Sequence, residues 1–247
     1  MVAILNSVLS SITAVLALSV AGVTAAPAAV QAPVSAYGFI DLGRAGSYGG
    51  LSSSGITNVG ATVITGNMGT KGTSITGFPP GKVVGQTDMN NANSTNAFAD
   101  YAVAFQFGQS RIPSVNKAGK TTLDGEVLVA GVYKYDSGVG LTGAMTFNGA
   151  GDSNSVWVMQ IAKTLITGSA SQIILSGGAK SSNIFWVVGT SATLGTYSTL
   201  HGSILAAAAI TANTGSTVNG GLYAGSAVNF QSSAVTVNAL AVKSYSA

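Results

Sequence analysis

The chain contains no cysteine, a single histidine and very little charge. Without cysteine there is no disulfide framework, no thiolate chemistry and no Cys-based metal site, so stability must come from packing and hydrogen bonds. His201 has no second histidine or thiol to share an ordinary zinc site, and it reads as a surface residue near a strand corner. Only 7% of residues are charged, and the net charge of +3 comes from scattered Lys and Arg with no run among them. That pattern excludes a nucleic-acid footprint. Mean hydropathy is positive, so Thr, Ser, Asn, Gly and Ala must form much of the exterior.

Acids are equally sparse: Asp41, Asp88, Asp100, Asp124, Glu126, Asp136 and Asp152. Hydrolases and lyases built on β-helices need paired carboxylates for proton transfer or metal binding. The one close pair, Asp124 and Glu126 in LDGEV, contains an Asp-Gly turn signal and reads as a solvated turn. The expectation is a protein that is not an enzyme and needs neither cofactor nor metal. Trp157 and Trp186 occupy matching apolar strand contexts and read as core packing rather than sugar-stacking platforms.

What is present begins with an apolar leader. Residues 1–25 have an apolar centre from Ile12 to Ala21, with small Val23 and Ala25 before Ala26, as in a cleavable secretion signal. No Lys or Arg precedes Arg44, so a membrane anchor is the competing reading. Residues 26–38 form a linker rich in Pro and Ala, and residues 39–247 read as one domain of short apolar runs separated by Gly, Ser, Asn and Thr. That is the grammar of strands and turns. One interval departs from it. Phe98, Tyr101, Ala102 and Phe105 recur at helical spacing, Thr87 or Asp88 can cap the start, and Gly108 with Pro113 marks the end, which predicts a helix over about residues 89–110 with a buried aromatic stripe. Asn93-Ser94-Thr95 is a glycosylation sequon if the source is eukaryotic, and would then lie on that helix's solvent side or first turn.

The strongest signal is a recurring tetrad: SGIT at Ser54, TVIT at Thr62, TSIT at Thr73, TLIT at Thr164, TSAT at Thr190, AAIT at Ala208 and SAVN at Ser226. Thr190 to Ala208 and Ala208 to Ser226 are both 18 residues, and Thr164 to Thr190 is 26, one period with a longer loop. Near-constant periods of this size mean stacked coils, hence an all-β solenoid with three short strands per turn. Ile204 then corresponds to Leu222, Ile210 to Val228, and Val218 to Val235 or Val237. With Leu194, Ile210 and Val228 inward, Ser191, Thr193, Ala209, Thr211, Ala227 and Asn229 point outward and tile one flat face. SGIT and TSIT lie 19 residues apart, close to one whole coil, so Ser54 and Thr73 can share a face, whereas Thr62 belongs to another.

These blocks carry a resemblance. LSSSGITNVGATVITGNMG, TSITGFPPG, the Ala-rich helix, LVAGVYKY, VWVMQIAKTLIT, NIFWVVGTSATL and VNGGLYAGSAVNF follow one another in the order seen in the secreted ice-binding protein family of fungi, bacteria and algae. The chain resembles its fungal antifreeze proteins in particular, from about Phe39 to Val242. The resemblance implies a discontinuous β-helix of triangular cross-section with the long helix packed alongside. It also implies a secreted monomer whose partner is the ice crystal surface, with no nucleic acid and no membrane after signal removal. The family's tetrad, Thr then Ala or Gly then any residue then Thr or Asn, maps onto Ser54, Gly55 and Thr57; Thr164 and Thr167; Thr190, Ser191 and Thr193; Ala209 and Thr211; and Ser226, Ala227 and Asn229. Ala208, Leu165 and Ser191 depart from the pattern. A secreted adhesin binding a glycan through the same face is the alternative.

Overall fold

The structure is a computed structural model that describes residues 38–237; the expected signal and all of the linker but Gly38 lie outside the described residues. Three parallel sheets of nine, six and eight strands surround one apolar core. From Gly131 the chain winds through five successive coils, each adding a strand to the first, second and third sheet in turn, and finishes at Ala234–Thr236. Each strand satisfies its backbone groups on its copies in adjacent coils. The anticipated equivalences hold: Ile204 pairs with Leu222, Ile210 with Val228, and Val218 with Val235.

The solenoid is discontinuous. The amino-terminal coil, Tyr48–Ser52, Gly55–Val59 and Val63–Thr65, stacks on the last coil, pairing Leu51 with Tyr223, Thr57 with Asn229 and Ile64 with Val235. The chain then adds Asn67–Thr70, Lys82–Val83 and Thr87–Met89 beyond that coil. A helix returns it to the far end, where Val115–Asn116 joins the opposite edge of the first sheet.

The helix spans Ala92–Ser110, starting later than the sequence suggests, because Thr87–Met89 is held as a strand by Asn67–Thr70. Its cap is therefore Asn91, whose side chain accepts from the Ser94 amide at 2.9 Å while Ser94 Oγ accepts from the Asn91 amide. This is a reciprocal capping box. The helix packs on the first sheet through Ser94, Ala97, Tyr101, Ala104 and Gly108, with Phe98 and Phe105 only partly buried beside that line. The buried stripe is thus mostly small residues around one tyrosine. Gly108 permits the closest approach, since a Cβ there would stand 2.7 Å from Val187 Cγ2 and 2.9 Å from Ile40 Cδ1. Tyr101 Oη donates to the Ala206 carbonyl at 2.7 Å.

Both tryptophans are buried in the core, although not in one rank, as Trp157 pairs with Ile184 and Trp186 with Met159. Phe147 lies between them, with ring centroids 5.4 Å and 5.7 Å away. Each indole nitrogen donates to a carbonyl, Trp157 to Leu128 and Trp186 to His201.

Candidate functional site

The helix covers the first sheet, which leaves the outer faces of the second and third as the extended surfaces of the solenoid. The second sheet is assembled from Val139–Leu141, Leu165–Thr167, Ala192–Leu194, Ile210–Ala212, Ala227–Gln231 and Gly55–Val59. Its inward column, Val139, Leu165, Ala192, Ile210, Val228 and Ile56, is fully buried. Strand alternation sends the next residue of each strand outward. The outward column runs Gly140, Ile166, Thr193, Thr211, Asn229 and Thr57. Two residues earlier in each strand, Thr164, Ser191, Ala209, Ala227 and Gly55 form a second, partly exposed column. Columns are spaced about 6.7 Å along the strands and ranks about 4.8 Å across them.

Thr190, Ala208, Ser226 and Ser54 stand on the corner before these strands. They are linked by backbone bonds from the Ala208 amide to the Thr190 carbonyl, from Ser226 to Ala208 and from Ser54 to Ser226. Within the flat columns, Thr57 Oγ1 donates to Asn229 Oδ1 at 2.8 Å. That bond fixes the amide's orientation and leaves its NH2 group to donate.

One residue assigned from sequence is displaced. Leu165 pairs with Ala192 and Ile166 with Thr193, so the counterpart of Thr190–Thr193 is residues 163–166 rather than 164–167. Thr167 consequently falls in the inward rank of Leu194, is 5% exposed, and accepts the Gly195 amide on its hydroxyl at 2.9 Å. Because side chains alternate with period two, a slip of one residue reverses a position. Register is set by Leu165, which must face the core. Ile166, 51% exposed, takes the outward place instead.

Another rank lies beyond the last strand and was not assigned from sequence. Ile75 bridges Ile56; the Ile56 amide donates to the Ser74 carbonyl and the Asn58 amide to the Thr76 carbonyl, both at 3.0 Å. Ser74 and Thr76 are exposed and continue the two outward columns. The 19-residue spacing of SGIT and TSIT is the signal for it. Thr62 lies elsewhere, buried before the third sheet, with its hydroxyl accepting from the Ser233 amide.

The third sheet's outer face is more mixed in chemistry. Its outward positions include Gln172, Thr199, Thr217, Ala234, Val63 and Lys82 in one column and Ile174, His201 and Asn219 in the next. His201 is half-buried, with Nδ1 2.7 Å from Ser181 Oγ, and burial lowers its pKa from the ordinary value.

Several carboxylates serve the fold. Asp124 is exposed and accepts from the Thr142 and Gly143 amides and from Thr142 Oγ1, bonds that lower its pKa to about 2. Glu126 departs from the solvated turn read in the sequence. Its carboxylate is largely buried and pairs with Lys117 at 2.8 Å and with Lys120. Asp88, near the helix start, accepts from Tyr48 Oη at 2.6 Å and from the side-chain Nδ2 groups of Asn91 and Asn93. Asn93 itself is exposed on the first helical turn.

A discontinuous parallel solenoid, covered on one sheet by a single helix and carrying Thr, Ser, Ala and Asn outward on another, defines a class of helix-flanked β-helices. The family model described as Ice-binding-like matches residues 50–236. The chain belongs to that family. An ice-binding protein of Nostoc sp. (strain HG1) is 40% identical over 174 residues, covering 70% of this chain and 64% of the relative. An ice-binding protein of Colwellia sp. is 36% identical over 81% of this chain and 83% of the relative. The crystal structure of an ice-binding protein from the Antarctic ascomycete Antarctomyces psychrotrophicus matches with a TM-score of 0.81 and 58% identity, covering 81% of this chain and 98% of that one.

Proposed function

We propose that this chain is an antifreeze protein that adsorbs to ice through the outer face of the second sheet, giving thermal hysteresis and inhibiting recrystallisation. The observation that carries the reading is the regular, uncharged outward column of Thr193, Thr211, Asn229 and Thr57, flanked by Ser191, Ala209, Ala227 and Gly55. Ice is chemically like the solvent, so a protein recognises it only by many weak contacts in a lattice. Hydroxyls and amides at regular spacing hold bridging waters at small cost, and methyls between them leave room for those waters to order. Lysine or glutamate would keep a hydration shell of its own. The third sheet, with Lys82, Gln172 and Ile174 facing out, meets these requirements less well.

No chemical step is needed, and the engagement of Asp88, Asp124 and Glu126 in structural bonds supports a non-enzymatic role. Among the described residues no helix is long and apolar enough to cross a membrane. Separately, from the apolar leader of residues 1–25 and the small Val23 and Ala25, the protein is read as a secreted, extracellular monomer whose leader is removed near Ala26. Mass spectrometry should find the mature amino terminus there; an intact Met1 on a membrane-bound product would overturn it. In a eukaryotic host, Asn93 would carry its glycan on the helix, away from the second sheet.

The deciding experiment compares two tyrosines. Thr211→Tyr should abolish hysteresis by holding the face off the ice, while Thr217→Tyr, outward on the third sheet, should leave it intact. Both should remain folded, since the two side chains point outward and are only partly buried, and surface substitutions usually shift stability by about 0.5 kcal/mol. The opposite pattern would place the ice site on the third sheet.

A further inference from the structure

The outward column of the second sheet changes character along its length. From Thr76 through Thr57, Asn229 and Thr211 to Thr193, every rank offers one hydroxyl or amide. At the next rank Ile166 projects an apolar side chain, beyond it Gly140 offers none, and Thr122, bridged to Gly140, has its hydroxyl engaged by the Asp124 amide at 3.1 Å. Charge accumulates at the same end. Lys163 occupies the corner column beside Thr190, whose amide donates to its carbonyl. Asp124 accepts from the amides of Thr142 and Gly143, immediately after the Val139–Leu141 strand. At the opposite end the Ser74–Thr76 segment lies against the Gly55–Val59 strand between two glycines that permit the contact. A Cβ on Gly72 would stand 1.8 Å from the Ser54 carbonyl oxygen, and one on Gly77 1.9 Å from that of Asn58. The charged neighbour on that side, Lys71, lies over the Phe98 ring at 4.9 Å.

From this asymmetry we infer that the ice-competent lattice is offset from the sheet: it stops at Ile166 and continues past the last strand onto Ser74 and Thr76. The inference rests on the second sheet being the ice face. Ile166 is then the boundary residue, because its branched apolar side chain takes the place of a water-holding group and interrupts the repeat. Ser74 and Thr76 belong to the site although they lie in the connection between two other sheets. A lattice built this way is centred near Asn229, where the amino-terminal coil meets the last coil.

A lysine series along the column tests this. Lysine is long and flexible, so it disrupts hydration locally and can bend aside, whereas tyrosine props up the whole face. Substitutions Thr76→Lys, Thr57→Lys, Thr211→Lys and Thr193→Lys should each remove at least half of the hysteresis measured at equal protein concentration. Gly140→Lys should leave it unchanged; a Cβ there meets nothing closer than 3.8 Å. Ile166→Thr should raise hysteresis above that of the parent by adding a rank. Circular dichroism melts confirm that each variant is folded. Full activity in Thr76→Lys, a loss in Gly140→Lys equal to that in Thr211→Lys, or a loss in Ile166→Thr would overturn the boundary. If Thr211→Lys has no effect, the face assignment itself fails and the boundary with it.

Discussion

Ile210 and Thr211 are neighbours on one strand and face opposite ways, so they separate stability from adsorption. Ile210 is 0% exposed and lies between Ala192 and Val228 in the inward column. Ile210→Ala removes three carbons, a transfer loss of roughly 2.4 kcal/mol at about 0.8 kcal/mol per carbon. The cavity adds to that loss, and with Ala192 already small on one side the walls can collapse little, which gives a total of about 3–4 kcal/mol. For a domain of this size each kcal/mol shifts Tm by about 2–4 °C, hence a drop of roughly 6–16 °C. Stability is near its maximum at roughly 10–20 °C and totals about 5–15 kcal/mol in typical domains, so the variant stays folded at the temperature of an ice assay. Scanning calorimetry and nanolitre osmometry on the same sample should therefore show a large fall in Tm with hysteresis retained. Thr211→Tyr should show the reverse. An unchanged Tm in Ile210→Ala would refute the inward assignment, and lost hysteresis in a folded sample would show that the face depends on its underlying packing more than on its outward groups.

Three further outcomes are expected. Burial raises the pKa of Asp88, but its bonds from Tyr48, Asn91 and Asn93 outweigh this and leave it below the ordinary carboxylate value. Its contribution is therefore present above the unfolded pKa and is lost as pH falls through the folded one; thermal melts across the acid range should fall less steeply in Asp88→Asn than in the parent. Gly108→Leu should lift the helix from Val187 and Ile40 at a cost of about 1–3 kcal/mol, read from urea midpoints, with ice shaping unchanged because the helix lies on the first sheet. Glu126→Ala leaves Lys117 and Lys120 without their partner and should cost about 1–2 kcal/mol, discounted for their partial exposure; a loss of ice shaping in that folded variant, or in Asp124→Ala, would count against a non-enzymatic flat-face mechanism.

The repeat of 18 residues made the coils legible, because Ile210 and Val228 recur where an inward residue must stand. Spelling alone could not fix register in the longer coil. TLIT matches the tetrad by letter, yet Leu165 sets the strand, and the core's demand for an apolar residue outranks the hydroxyl of Thr167. The helix start was obscured for a related reason: Asp88 and Thr87 have capping side chains, but pairing with Met68 and Gly69 holds them extended until Asn91 takes the role. Local sequence ranks candidates, and long-range pairing chooses among them. Ser74 and Thr76 sit in the rank that their spacing from Ser54 indicated, held there by the bridge at Ile75 and its flanking backbone bonds to Ile56 and Asn58 rather than by a strand of their own.

The order in which the coils stack also sets an order in time. Thr57 and Asn229 touch at 2.8 Å across a sequence separation of 172 residues, so the centre of the outward column cannot exist until almost the whole domain has been synthesised. The first coil must wait, without its neighbour, while five later coils are made. Such distant pairing makes folding slow relative to chains with local contacts, since loop closure precedes any reward. A carboxy-terminal truncation before Ala227 would leave the Gly55–Val59 strand without its partner and cut the column in two, so the working surface is a property of the finished chain and of no fragment of it.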